Sequence, residues 1–75
     1  MDLDVFVGKF AEQFDDTDPS EIKADTYYLE LDEWSSLTAL GIIALVKEEF
    51  GKNITGKEVR NCDTVKDLYD YIMSL

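Results

Sequence analysis

The fifteen residues from Ser36 to Phe50 are apolar around most of a helix's circumference, which leaves a short chain with two sides of one helix to cover. At about 100° per residue, Ala39, Ile42, Ile43, Val46 and Phe50 gather on one side and Leu37, Leu40, Gly41, Ala44 and Glu48 on the other. The first set reads as a core stripe. The second has two readings: the chain itself covers both sides of a central helix, or the second side is kept for a partner. Burial of a Leu is worth roughly 1.5–3 kcal/mol, so cover of either kind matters. Gly51 follows as the residue best suited to a left-handed helix end. Ser35 and Ser36 stand at the start, where a hydroxyl is either a cap or a place of attachment.

The rest of the chain frames that helix. Leu3, Val7, Phe10 and Phe14 fall at intervals of 4, 3 and 4, which predicts a first helix over residues 3–14, capped by Asp2. Residues 15–35 have no sustained period and read as a long loop. Within it, Asp18-Pro19-Ser20-Glu21 has Asp at a cap and Pro at the first helical position, which predicts one helical turn. Ile22, Tyr27, Tyr28, Leu29, Leu31 and Trp34 give the loop apolar area, so it is expected to pack on the bundle; Trp34 is either part of that packing or partner surface. Tyr27 to Leu31 is the only strand candidate, and its isolation among acids favours loop. Thr55-Gly56-Lys57-Glu58 has capping-box spacing and predicts a short third helix near residues 56–61. Asp63 or Thr64 opens a last helix with the stripe Val65, Leu68, Tyr69 and Ile72. The expected fold is all-α: a small four-helix bundle with three longer helices, one short helix and a long loop between helices one and two, residues 1–75 forming a single domain.

Charge and composition narrow the function. A formal charge of −10 repels nucleic acid and anionic membrane and favours basic partner surfaces. Residues 1–33 hold 11 acids and 2 lysines, residues 34–75 hold 6 acids and 5 bases, so the acidity precedes the two serines. Histidine is absent, which removes the commonest general base and metal ligand. A chain this short also rarely encloses the roughly 300 Å³ or more of a small-molecule site, so no intrinsic catalysis and no catalytic residue is expected. Asp15-Asp16-Thr17-Asp18 has the acidity of a calcium loop but lacks its Gly at position six and Glu at position twelve; no metal site is expected. Cys62, the only cysteine, reads as a packed small apolar residue; a reactive thiol would want a cation such as Arg60 or Lys66 beside it. With no signal sequence, lipidation motif or twenty-residue apolar run, the expectation is a soluble, monomeric cytoplasmic protein.

Taken in order, these features resemble the acyl carrier protein family: an amphipathic first helix, a long loop, Ser36-Leu37 opening the second helix, Glu48-Glu49-Phe50 near its end, a short third helix, and a final Thr64-Val65-x-Asp67-Leu68-x-x-Tyr71-Ile72. The resemblance covers nearly the whole chain. It implies that Ser36 carries 4′-phosphopantetheine, donated by coenzyme A and joined through a phosphodiester, with acyl groups held as thioesters on the distal thiol. It implies as partners a phosphopantetheinyl transferase and acyl-activating, acyltransferase or condensing enzymes. Leu37, Leu40, Ala44 and Glu48 would form the docking strip, Glu30, Asp32 and Glu33 the acids nearest Ser36, and the bundle interior would shelter a fatty chain. A phosphate on Ser36 suits the free amides and positive dipole end of a helix start. Ser36 is chosen over Ser35 because it precedes Leu and lies 14 residues before Phe50. On the residues alone, both serines read as caps.

Two departures qualify the implication. The family's Asp-Ser-Leu is Ser35-Ser36-Leu37 here, and in the family that aspartate caps the helix and takes part in binding metal during attachment. Ser35 can cap but brings no charge. Thr38, Gly41 and Lys47 stand where family members commonly have acids. The expectation is a specialised carrier, in a lipid or secondary-metabolite pathway, that docks through apolar contact and loop carboxylates. The alternative is a carrier-like interaction module without a prosthetic group. Fatty, polyketide, aminoacyl and sugar-linked acyl groups all remain open as cargo.

Overall fold

A computed structural model describes residues 1–75. The chain is all-helical, with α1 at Leu3–Ala11, α2 at Ser36–Phe50, α3 at Gly56–Arg60 and α4 at Val65–Met73. Each start is chemically marked. The Asp2 carboxylate accepts from the Val5 amide at 2.9 Å, and Thr55 and Thr64 form reciprocal capping boxes with Glu58 and Asp67. Gly51 ends α2 at φ 67°, a conformation costly for a residue with a Cβ.

The first helix is shorter than its spacing predicts. It stops at Ala11, and the Gln13 and Phe14 amides bond back three residues, to the Phe10 and Ala11 carbonyls. Those bonds tighten the last turn and carry Phe14 inward outside the helix proper. The buried side also turns relative to the expected stripe: Phe6, Phe10, Ala11 and Phe14 are buried, while Leu3 and Val7 are only half-buried. Phe6 wins that place because it packs against Phe10, Phe50 and Tyr69 at once, with ring centroids 5.6–6.0 Å apart.

α1 packs chiefly on α4, and α2 on α3, with α1 crossing α2. The long connection is ordered, as its apolar content predicts, and holds two short helical turns: the expected one at Pro19–Glu21 and a second at Tyr28–Glu30. Its carbonyls serve α4. Ala24 and Thr26 accept from the Lys66 and Val65 amides at 2.9 and 3.3 Å, and Tyr27 makes an isolated bridge with Thr64. The loop thereby satisfies donors that the start of α4 leaves free. Tyr28 enters the core completely and donates its hydroxyl hydrogen bond to the Val59 carbonyl of α3.

Candidate functional site

The site begins with the way the chain enters α2. Ser35 is extended, at φ −159° and ψ 172°, and its hydroxyl oxygen accepts from the Thr38 amide at 3.3 Å. Thr38, 8% exposed, donates its own hydroxyl to the Glu33 carbonyl at 3.1 Å and lies 3.3 Å from the Ser35 oxygen. One buried threonine thus fixes the last loop residues and the first helical turn together. Ser36 follows as the first residue of the helix, exposed. Its own amide and that of Leu37 have no acceptor within the chain.

Below Ser36 runs the second side of α2. Leu37 and Leu40 are 79% and 61% exposed, Ala44 and Glu48 are exposed, and Gly41 is half-buried beside Gln13. The reading in which the chain covers both sides of this helix is therefore excluded. The core side holds as expected for Ala39, Ile42 and Val46, which are buried, and for Ile43 and Phe50, which are partly so; Thr38 and Leu45 join it. Lys47 also faces solvent.

Among the loop acids, Glu30 and Asp32 are exposed and Glu33 is half-buried. The Glu33 carboxylate accepts from the Thr17 hydroxyl at 2.7 Å and the Asp16 amide at 3.0 Å. The Thr17 bond first, then the loop amides, hold its carboxyl below the usual range. Glu33 therefore staples the two ends of the acidic loop. Trp34 is half-buried, its ring 5.1 Å from Tyr28 and 6.3 Å from Phe14, which places it in the loop packing. Cys62 is half-buried and its thiol is pushed up by burial, then by Asp67 and Asp63; its surroundings are those of a packed residue.

Three contributors are absent from the sequence reading: Thr38 as a clamp, Thr17 as the partner of Glu33, and Gln13. A Cβ on Gly41 would lie 2.9 Å from the Gln13 side-chain oxygen, so the missing side chain lets the carboxamide rest on the α2 backbone. An open groove of ≈ 380 Å³ runs there, lined by polar residues including Gln13, Ser35 and Thr38. The Ser-x-x-Thr spacing of Ser35 and Thr38 is the one signal that marks the clamp in advance. Thr17 and Gln13 act across loop contacts that no local pattern encodes.

The donor set suits a phosphate ester. An exposed hydroxyl stands at the first helical position with two amides free beside it, and the positive dipole end of a helix of 15 residues favours the charge. A family profile described as the phosphopantetheine attachment site, PP-binding, matches residues 4–72. No curated protein and no solved structure matches the chain.

Proposed function

The chain belongs to the phosphopantetheine attachment site family, and we propose that residues 1–75 form one carrier domain that bears the arm on Ser36 and delivers acyl intermediates to partner enzymes without catalysis of its own. The observation that carries the assignment of Ser36 is its placement: an exposed hydroxyl at the first helical position, beside two unpaired amides and steadied by the Thr38 clamp. Attached, the 4′-phosphopantetheine arm supplies a distal thiol for thioesters. The chain's part in attachment is nucleophilic. The Ser36 oxygen bonds the pantetheine phosphorus of coenzyme A, adenosine 3′,5′-bisphosphate leaves, and the hydroxyl proton passes to a base of the transferase. The Ser36 and Leu37 amides are the groups placed to hold the resulting phosphodiester.

Docking falls to Leu37, Leu40 and Ala44, with Glu48 at the far end of the strip and Glu30, Asp32 and Glu33 before Ser36. The exposure of the two leucines supports an apolar contact, and the loop acids support basic rims on the transferase and on acyl-activating, acyltransferase or condensing enzymes. A cytoplasmic monomer in a specialised lipid or secondary-metabolite pathway is the setting this charge pattern fits. Ser35, in the place of the family's aspartate, favours one rival: a module that docks without an arm. Ser36→Ala separates them. In a carrier it abolishes acyl transfer to a cognate partner while leaving the partner's affinity for the protein in place. In the rival, partner-dependent function survives the substitution.

A further inference from the structure

The interior of this bundle is closed by an aromatic wall that begins two residues before Ser36. Trp34 lies against Tyr28 at 5.1 Å and Tyr28 against Phe10 at 5.3 Å, edge to face, with Phe14 beside Trp34 and Phe10. Phe10, Tyr28, Ile42, Val46 and Val59 are each 0% exposed, so loop, α1, α2 and α3 meet with their side chains interleaved. Tyr28 is also tied. Its hydroxyl satisfies the Val59 carbonyl near the end of α3, one of the last carbonyls of a five-residue helix that has no further turn to use them. A chain entering past Trp34 meets the Tyr28 ring, and displacing that ring strands both of those buried polar groups, an arrangement that interiors avoid.

The open space beside that entrance has the wrong character for an alkyl chain. One groove, of ≈ 370 Å³, follows the acidic loop, and the other, of ≈ 380 Å³, lies at the start of α2 between Gln13 and Ser35, Leu37 and Thr38; each is lined by one apolar residue, Leu31 and Leu37 respectively. The remaining apolar surface near the arm is the Leu37–Leu40 strip, which docking requires.

Resting on the carrier reading, we propose that the Tyr28 wall keeps the cargo outside the bundle and makes this a carrier of short or polar acyl and aminoacyl groups, with Tyr28 as the residue that sets the limit. A long alkyl group on the arm stays in water between partners; a short, hydroxylated or amino-bearing one does so with little unfavourable hydration.

The test uses the full chain loaded by a broad-specificity phosphopantetheinyl transferase with acyl-phosphopantetheine from a series of acyl coenzyme A donors, acetyl, butyryl, hexanoyl and octanoyl. Intact mass reports loading and thermal denaturation reports burial. Cargo held in solvent gives melting temperatures that coincide across the series. Cargo drawn inside raises them with chain length, on the order of 5 °C for each methylene buried, and overturns the proposal. Absence of the added mass removes the carrier reading and this inference with it, so the two failures are distinct. Tyr28→Leu, which opens space and releases α3, is expected to create a chain-length dependence. A folded variant with a flat series overturns the role of Tyr28, and the wild-type series decides the exclusion whether or not that variant folds.

Discussion

Thr38 shows how much of the site rests on one short side chain. Its hydroxyl reaches the Glu33 carbonyl at 3.1 Å and its amide the Ser35 oxygen at 3.3 Å, so Ser36, the proposed attachment residue, stands on a helix start pinned from both sides. Thr38→Val keeps the shape and removes the hydroxyl. The expected loss is about 1 kcal/mol, or about 4–8 °C in melting temperature, with slower arm attachment and with both restored in Thr38→Ser. Thermal melts and loading rates on the three proteins check this. Glu33 answers to pH. Its folded pKa is lowered by Thr17 and the loop amides, so its contribution is complete above the unfolded value of about 4.3 and is lost as pH falls through the folded value. Glu33→Gln is expected to flatten the fall of stability in that acid range, measured by urea denaturation at successive pH values; an unchanged slope contradicts the staple. Only the Ser-x-x-Thr spacing hints at the clamp in the sequence, where Thr38 otherwise reads as a missing acid, and Glu33 reads only as charge. Thr17 and Glu33 lie 16 residues apart, and periodicity does not record contacts across a loop.

At the scale of the element, α2 was the most legible part of the chain. Ser35, Ser36 and Gly51 bound it where cap and left-handed end chemistry require, and the two-sided apolar pattern separates into a buried side and the exposed Leu37 and Leu40. Sequence alone leaves that split open, because burial depends on how many walls the rest of the chain supplies. α1 was less legible: Phe6 and Phe10 compete with Leu3 and Val7 for the core, and the outcome follows from Phe50 and Tyr69, which come from other helices. The exposed side yields a clean prediction. In the proposed docking, Leu40→Asp removes a contact worth roughly 1.5–3 kcal/mol from the complex and almost nothing from the free protein. Partner transfer is therefore expected to fall roughly tenfold to a hundredfold at low protein concentration, while the melting temperature holds. Kinetics with a cognate acyltransferase, beside a thermal melt, measure both.

Over the whole molecule, charge and packing divide the work. The core is built by helices and by a loop that sends Ile22 and Tyr28 inward, and the acids sit mainly before Ser36. The number, order and approximate bounds of the helices follow from spacing and caps. The turn at Tyr28–Glu30 and the carbonyls of Ala24 and Thr26 that cap α4 do not, since they exist only once the loop has docked. Such an assembly offers an α2 entrance held by hydrogen bonds and an exposed apolar strip, both of which the proposed carrier role uses.

The central claim is that Ser36 accepts the arm although Ser35 stands where an aspartate is usual. The direct measurement is intact mass with fragment localisation after incubation with coenzyme A and a broad-specificity phosphopantetheinyl transferase, on the wild type, Ser35→Ala and Ser36→Ala. One phosphopantetheinyl addition, localised to Ser36, retained in Ser35→Ala and absent in Ser36→Ala, is the expected result. An addition that follows Ser35, or a folded wild-type protein that gains no mass even with transferases from its own source, contradicts it.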